Sequence, residues 1–472
     1  MQEQIKSLVE QLHNLALHGS IEEARKFYWE KIHDFVEKRF IEQVEERIRN
    51  NKIPKYDWLI LPVGLEVHYY VLLIKALKPK KVYFIGTEEF HKTNLDPIIK
   101  KSNLKREQYF VEVINYRGMD VAEVYGKIKE KSYLFEGKVA VDLTGGKRVI
   151  SAGSAIMACF FGFDLIYIDE DWHDDIKRGI PGTEELVLVK NPFHTFGDLE
   201  KSYAKILFNQ YSFDHSKEFY KSLCSKVIDP REYEVATLLS ESYYHWDSFN
   251  YNAALIKIKE TIRRIEQYHL HFLDIKQLEK NQKTLGILNK INAVQRIDEL
   301  LKDNELVLNL IIDLHSNALR RRENHALDDA IVRLYRLIEL VSQYGLAKHN
   351  ITTSNPDYTP FPGLKSKYSE ITHSLYDQER NLPFEIGIKD GHIILFIIKD
   401  EIWKHKNIED LKKFLGPIRL RDNSIIAHGI ETINDKAFQK IEEICAEFIK
   451  KICLILNQNY EELIQEHKFI KL

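Results

Sequence analysis

The segment KVAVDLTGGKRVISAGSAIMA, Lys138–Ala158, decides the fold of the first half of the chain. Its apolar beginning, which ends at Asp142, predicts a short buried strand, and the residues after Arg148 have the composition of a helix. Between them, Gly145 and Gly146 permit a tight turn that a ligand can approach closely. This order of strand, turn and helix predicts an α/β domain.

Similar apolar runs flank this segment, and helix-length stretches separate them. The predicted strands are Trp58–Gly64, Lys80–Thr87, Tyr109–Tyr116, Lys138–Gly146, Phe163–Asp171 and Glu185–Phe193, the last as an edge strand. Strands that alternate with helices form βαβ units. We therefore predict a Rossmann-like domain with a mostly parallel sheet.

The rest of the chain has helical periodicity. A helical arm precedes the first strand, and residues beyond Phe193 are helical almost throughout. The apolar patch His392–Asp400 is compatible with a short strand or with the start of a helix. The predicted fold class is α/β plus all-α, in four parts: an N-terminal helical arm (1–52), the Rossmann-like domain (53–194), a helical linker (195–304) and a C-terminal helical domain (305–472).

Composition excludes several classes of protein. The 472 residues are 44% hydrophobic and 29% charged, which suits a globular chain of several domains. No apolar run approaches the ~20 residues of a membrane span, and no signal peptide precedes the arm. The four cysteines are scattered, so we predict neither a disulfide framework nor a metal site. We expect a cytoplasmic protein without a membrane partner.

The turn after the fourth strand is a candidate ligand site, because open parallel sheets bind ligands beyond the carboxyl ends of their strands. It carries a hydroxyl, two glycines and two cations: Thr144, Gly145, Gly146, Lys147 and Arg148. The N–H groups of a helix N-terminus favour phosphate. The turn lacks the Gly-Lys-Ser/Thr of a nucleoside-triphosphate loop. Two alternatives remain open: a phosphate site, or a turn whose glycines serve packing only.

A second candidate site lies in IRLRDNSIIAHGIE, Ile418–Glu431, where Arg421 and His428 are seven residues apart. On a helix this spacing returns to nearly the same face. A guanidinium can clamp a phosphate, and an imidazole can move protons during RNA cleavage without a metal. The alternative, an arginine on a helix face and a histidine in a helix cap, stays open at this point.

The spacing alone is weak evidence, because other Arg–His pairs share it. These are Arg263/Arg264–His269 and Arg320–His325. They lie in long charged helical stretches, and we interpret them as solvated helix faces. The pair Arg421–His428 differs in its polar surroundings, Asp422, Asn423 and Ser424.

Together the two candidate sites resemble a known family. The DLTGG-Lys-Arg turn resembles that of a CARF domain, and the segment from Arg421 to His428 resembles the R-x(4–6)-H motif of HEPN ribonucleases. In this order, with helices between, they resemble the CARF–HEPN ribonucleases of type III CRISPR systems. The stretches Asn317–Leu346 and Tyr243–Tyr251 also look like helical segments of that family.

The resemblance implies a function in antiviral defence. In this family a homodimer binds cyclic oligoadenylate, which activates cleavage of single-stranded RNA without a metal or other cofactor. It implies Arg421 and His428 as the catalytic pair, with Asp422 and Asn423 as helpers. The implied activator contacts are Thr144, Gly145, Gly146, Lys147, Arg148, Gly64 and Thr87. Some CARF domains also degrade the activator, and Thr144 is then the first candidate.

One departure and two alternatives remain. Glu66 follows the first strand where the family usually has Ser or Thr, so it either faces away from phosphate or accepts from an adenine amino group. A different function is a cyclic-nucleotide sensor or scaffold with a non-catalytic HEPN domain. A DNA-binding regulator is disfavoured, because the net charge is −3 and we find no basic recognition helix.

Overall fold

The structure is a computed structural model that describes residues 2–115, 120–174, 178–422 and 434–472, with side chains from residue 6 onward and not for 419–422. The chain folds into two compact units, Met1–Asp198 and Leu199–Leu472. We call them the sheet unit and the helical unit. Among the described residues, no helix is both long and apolar enough to cross a bilayer. The four-part division predicted from the sequence stays a prediction.

The bounds of the regular elements are as follows. The strands are β1 Trp58–Pro62, β2 Lys81–Thr87, β3 Tyr109–Ile114, β4 Val139–Asp142, β5 Asp164–Asp169, β6 Trp172–His173, β7 Arg178–Gly179 and β8 Glu185–Val189. The helices are α1 Gln2–His18, α2 Ile21–Phe27, α3 His33–Arg49, α4 Val67–Leu77, α5 Glu88–Phe90, α6 Asp96–Ser102, α7 Val121–Glu130, α8 Arg148–Phe161, α9 Pro192–Phe196, α10 Asp198–Asn209, α11 Phe213–Cys224, α12 Arg231–Asp247, α13 Tyr251–Tyr268, α14 Ile275–Leu288, α15 Ile297–Leu300, α16 Asn304–Glu323, α17 Leu327–Lys348, α18 Leu364–Tyr376, α19 Ile388–Ile397, α20 Ile408–Asp422, α21 Asp435–Ile455 and α22 Tyr460–Glu466.

The sheet unit contains a six-stranded sheet of order β3-β2-β1-β4-β5-β8. The first five strands are parallel, and β8 pairs antiparallel with β5 at the edge. The predicted fold class, α/β plus all-α with a mostly parallel sheet, is confirmed. All five residues of β1 are buried, because helices cover both faces of the sheet. Strands β6 and β7 form a separate two-stranded hairpin.

The N-terminal arm shares its core with the sheet. Phe40 and Val44 of α3 are buried in the same apolar cluster as Leu59 and Leu61 of β1. Arg47 also donates a hydrogen bond to the carbonyl oxygen of Leu186 in β8. The arm is therefore an integral part of the sheet unit.

The helical unit has a large apolar core in which α16, α17, α19 and α21 meet. The ambiguous patch His392–Asp400 lies mostly in helix α19 rather than in a strand. Its His392 is fully buried, donates to the Ile338 carbonyl oxygen and accepts from the Trp403 indole N–H (3.1 Å each). A segment that is apolar on every side suits a helix inside a core.

Candidate functional site

The turn between β4 and α8 touches the loop after β1 through glycine backbone. A Cβ on Gly64 would lie 2.5 Å from the Gly146 nitrogen, and a Cβ on Gly145 would collide with the Tyr70 hydroxyl oxygen. Gly146 also has φ +87°, which favours glycine. The Tyr70 hydroxyl donates to the Pro62 carbonyl (2.8 Å) and accepts from the Gly64 N–H (2.6 Å). The structure therefore brings Gly64, Gly145 and Gly146 together.

Thr144 faces into the protein. Its hydroxyl donates to Asp142 Oδ1 (2.6 Å) and accepts from the Ile168 N–H (2.8 Å), while its own N–H donates to the same carboxylate (3.0 Å). Asp142 is fully buried, and burial raises its pKa to about 6. The hydroxyl that the sequence offers for activator degradation is thus used within the fold. The roles predicted for Thr144 stay predictions.

The cations of this turn stand at the start of α8. Lys147 is the N-cap residue and makes no side-chain cap, its ammonium lies 5.6 Å from the centre of the Phe90 ring, and Arg148 is exposed. The first N–H groups of a helix lack intrahelical acceptors, so they can receive an anion. Thr87 ends β2 and is 1% exposed, and its hydroxyl has no hydrogen-bond partner among the described residues.

The predicted catalytic residues fall at the edge of the described chain. Asn423 and His428 lie outside the described residues, and Arg421 and Asp422 are described only as the last helical backbone of α20. Pro417 lies inside this helix, one turn earlier. The catalytic assignment therefore stays a prediction.

A residue that the sequence did not identify holds this end of α20. The Tyr335 hydroxyl, in α17, lies 2.9 Å from the Pro417 carbonyl oxygen and 3.3 Å from that of Ile418. Tyr335 is 2% exposed. It belongs to the Arg-Leu-Tyr-Arg sequence within Asn317–Leu346. Nothing in this local sequence indicates that the tyrosine hydroxyl contacts carbonyl oxygens of a different helix, α20.

The two other Arg–His pairs, Arg263/Arg264–His269 and Arg320–His325, differ from each other. Arg263 and Arg264 are paired with Glu260 near the surface (2.5 and 2.9 Å), as the sequence predicts. The prediction is wrong for Arg320, which is 5% exposed and donates to Asp247 (2.8 Å). A buried carboxylate from α12 stabilises this arginine inside the helical unit, which local sequence does not reveal.

A basic groove of about 670 Å³ opens on the helical unit near the start of α20. Its charged lining residues are Lys367, Glu370, Lys399, Lys404, His405 and Lys406. Phe396 and Ile397 contribute apolar lining to the same groove. Two of its four ammonium groups are paired with carboxylates, Lys404 with Glu401 (3.0 Å) and Lys406 with Glu447 (2.8 Å), and the remaining excess of positive charge favours a polyanion.

Two family models match the chain, and both describe domains of one protein family. The Csm6 6H domain matches residues 196–291, and the Csm6 HEPN domain matches residues 299–452. Together they cover more than half of the sequence. The chain belongs to the Csm6 family. The family predicted from the sequence is thereby confirmed, and the Csm6 HEPN match encloses both Arg421 and His428.

Two individual proteins are similar to this Csm6-family chain. The CRISPR system endoribonuclease Csm6 of Thermus thermophilus is 24% identical over 390 residues, which are 79% of this chain and 80% of the relative. A solved structure of Enterococcus italicus Csm6 bound to cyclic hexa-2'-fluoro-hexa-dAMP aligns with a TM-score of 0.46 and 12% identity, over 87% of this chain and 98% of that one.

Proposed function

We propose that this chain is a metal-independent endoribonuclease of type III CRISPR defence, which cleaves single-stranded RNA when cyclic oligoadenylate binds. The observation that carries this proposal is the Csm6 HEPN match over residues 299–452, which contains the pair Arg421–His428. The relative from Thermus thermophilus, named as an endoribonuclease, supports the same activity.

The chemistry needs only the residues of the predicted pair. The Arg421 guanidinium would clamp the scissile phosphate and offset the charge of the transition state. His428 would move a proton at the 2′-hydroxyl or at the leaving 5′-oxygen. Attack by the 2′-hydroxyl would leave a 2′,3′-cyclic phosphate. We propose that two copies of the chain form the site, with Asp422 and Asn423 as helpers.

The activator would bind at the carboxyl edge of the sheet. Gly145 and Gly146 are half-buried at this edge, with the buried Gly64 packed against Gly146, and the α8 N-terminus with Lys147 and Arg148 offers donors and positive charge. A cyclic oligoadenylate presents phosphates to such a turn. No additional cofactor is required in this scheme.

The test is cleavage of a fluorescent single-stranded RNA by the full chain, with and without cyclic tetra- or hexa-adenylate, and with and without EDTA. We expect activated cleavage that His428→Ala lowers by about 10²–10⁴-fold. His325→Ala is the matched control, because it removes an exposed histidine from the pair Arg320–His325, which has the Arg–His spacing but no proposed catalytic role. Cleavage that survives His428→Ala, or that EDTA abolishes, would contradict the proposal.

The alternative is a sensor or scaffold with a non-catalytic HEPN domain. It predicts that cyclic oligoadenylate binds while RNA stays intact under every condition of this assay. Binding of the activator by calorimetry, measured beside cleavage, therefore separates the two functions.

A further inference from the structure

A pocket of about 280 Å³ lies in the helical unit where helices from distant parts of the sequence meet. One wall is α14, within the segment matched by the Csm6 6H model, and another is α16, within the segment matched by the Csm6 HEPN model. Helix α22 and the end of α21 complete the lining. We call it the helix-end pocket, and its lining includes Lys283, Ile287, Glu305, Asn309, Leu456 and Glu466.

Buried hydrogen bonds hold the walls of this pocket together. Asn281 of α14 donates from Nδ2 to the Glu466 carbonyl oxygen (2.9 Å), and the Thr284 hydroxyl donates to the same oxygen (3.4 Å). The Nε2 atom of the fully buried His467 lies 3.2 Å from the carbonyl oxygen of Asn309 in α16. These contacts connect three helices, so the pocket is preformed, as small-molecule sites usually are.

One polar group of the lining lacks a partner. Asn309 is 2% exposed, and its Nδ2 donates to the Glu305 carbonyl oxygen one turn earlier (2.9 Å). This bond fixes which end of the amide is the oxygen, and that Oδ1 has no hydrogen-bond partner among the described residues. A buried acceptor without a partner loses the hydrogen bond that water would donate. A donor group on a ligand would satisfy it.

The charged groups of the lining are one cation and two carboxylates. Glu466 is 5% exposed, and its carboxylate lies 3.3 Å from the ammonium of Lys283, whose side chain is 67% exposed. A buried charge is costly unless it is closely paired, and a lysine that extends into solvent compensates it only in part. Glu305 is paired with Lys290 (2.8 Å), which does not line the pocket. The Glu466 carboxylate therefore favours an added cation.

Helix ends add negative charge at the pocket. Helix α14 ends directly after Ile287, and Leu456 is the C-cap residue of α21. The carbonyl ends of helices carry partial negative charge and stabilise cations. Helix α16 begins at the pocket with the opposite dipole, but the Asp303 carboxylate caps it by accepting from the Leu306 N–H (3.0 Å). The helix ends and the carboxylates together favour a positively charged ligand with hydrogen-bond donors.

We propose that the helix-end pocket binds an aliphatic amine. The protonated nitrogen would donate to the Glu466 carboxylate and to Asn309 Oδ1. The alkyl chain would lie against the apolar side chains of the lining, Ile287, Leu308 and Leu463. The volume is just below the range of about 300–1,000 Å³ that is typical of ligand pockets, so a short amine of four or five carbons is a suitable size.

A metal ion fits this pocket less well than an amine. Among the described residues, no cluster of three His, Cys, Asp or Glu side chains could hold a metal ion. An ion would also leave the apolar lining without a contact. An amine would touch α14, α16 and α22 at once, and it would stabilise the folded helical unit because it binds only the folded chain. This role does not depend on RNA cleavage.

The test is calorimetric titration of the full chain, without RNA or cyclic oligoadenylate, with n-butylamine, 1-butanol and ammonium chloride. We expect n-butylamine to bind about tenfold more tightly than 1-butanol, which has the same carbon chain but no charge. It should also bind about tenfold more tightly than ammonium, which has the charge but no alkyl chain. Equal affinity of n-butylamine and either comparison compound would overturn the proposal.

Substitutions connect the binding to this pocket. Glu466→Gln and Asn309→Leu should each weaken n-butylamine binding about tenfold, because each removes a hydrogen bond to a charged group. Lys283→Gln should instead strengthen it several-fold, because it removes the cation that competes for Glu466. Glu462→Gln is the matched control, since this exposed carboxylate lies one turn earlier on α22 and does not line the pocket.

Circular dichroism of each variant checks that it folds. Glu466→Gln, which keeps the size of the side chain, carries the test if Asn309→Leu does not fold. The proposal is overturned if n-butylamine does not bind the wild type, or if it binds Glu466→Gln as tightly as the wild type. It is also overturned if Lys283→Gln binds n-butylamine no more tightly than the wild type does.

Discussion

The Tyr335 hydroxyl lies against the last turns of α20, at the carbonyl oxygens of Pro417 and Ile418. Proline has no N–H, so the helix loses one of its own hydrogen bonds at Pro417. In a regular helix the carbonyls of residues 417 and 418 would pair with the N–H groups of residues 421 and 422. Tyr335 is therefore well placed to fix the last turns of α20, whose backbone includes Arg421.

If Arg421 is catalytic as proposed, we expect Tyr335→Phe to lower kcat for RNA about tenfold with little change in KM, because a catalytic group that is displaced slightly loses transition-state contacts. The measurement is steady-state cleavage with saturating activator. Tyr344→Phe is the matched control, since Tyr344 is buried in the same helix and its hydroxyl donates a hydrogen bond to Asn304 Oδ1 (2.7 Å) rather than to α20. Equal kcat values for the two variants would exclude a positioning role.

Asp142 makes the stability of the sheet unit depend on pH. Its folded pKa of about 6 lies above the ordinary 3.8, so the folded chain holds this proton more tightly than the unfolded chain. The stabilising contribution is complete below about pH 4 and is lost as pH rises through 6. Asp142→Asn should therefore raise the free energy of unfolding by about 1–3 kcal/mol at pH 7.5 relative to its effect at pH 4. Denaturant titrations at both pH values check this, and an equal difference at each would contradict it.

At the residue scale the sequence predicted backbone features better than side-chain partners. The sequence places Gly64, Gly145 and Gly146 after parallel strands, which end at one edge of the sheet, and the structure brings these glycines together there, while their role as activator contacts stays a prediction. Tyr70, which lies between them, was missed because it occurs within an ordinary apolar helix. The inward direction of Thr144 has no local signal either, because the Ile168 N–H that donates to its hydroxyl lies on another strand, β5.

Among the elements, the parallel strands were predictable from short apolar runs, since burial on both faces leaves no polar alternation. The antiparallel direction of β8 depends on its pairing with β5 and has no local signal. The β6–β7 hairpin was missed because its strands have only two residues each. It nevertheless supplies Trp172 and Arg178 to the lining of a cavity of about 340 Å³ in the sheet unit.

The basic groove yields a prediction about the segment that joins α19 to α20. Lys399→Glu with Lys404→Glu should weaken binding of single-stranded RNA and reduce the dependence of log Kd on log salt by about 0.7 per lost phosphate contact. Fluorescence anisotropy in a His428→Ala background avoids cleavage during the measurement. The control, Lys276→Glu with Lys280→Glu, reverses two exposed charges on α14. An equal effect of both pairs would mean that the groove adds no specific contact.

Over the whole molecule, distant parts of the sequence meet at the C-terminal residues of the helical unit. The Phe469 ring stacks on Tyr243 (4.1 Å between centres), and the Arg320 guanidinium lies 3.9 Å from the same ring. Asn209 of α10 pairs with the backbone of Leu472 at 2.8 and 2.9 Å. These contacts connect α10, α12 and α16, which periodicity alone cannot reveal.

Phe469→Ala should lower the free energy of unfolding of the helical unit by about 3–5 kcal/mol, because it leaves a cavity among buried rings. Urea denaturation followed by circular dichroism measures the change. Phe384→Ala is the control: this side chain is 95% exposed, and its loss should change stability by less than about 0.5 kcal/mol. A comparable loss in both variants would show that the packing of Phe469 is unimportant.

The contact between Gly64 and the Gly145–Gly146 turn, with the Tyr70 hydroxyl against Gly145, has a consequence for how such sequences diverge. A side chain at position 64 would collide with the Gly146 nitrogen, one at position 145 with Tyr70, and one at position 146 with Pro62 of β1. A single replacement is therefore costly, whereas a smaller residue at position 70 could make room for alanine at 145. We expect positions 64, 70, 145 and 146 to covary across an alignment of Csm6-family sequences, as one inherited unit.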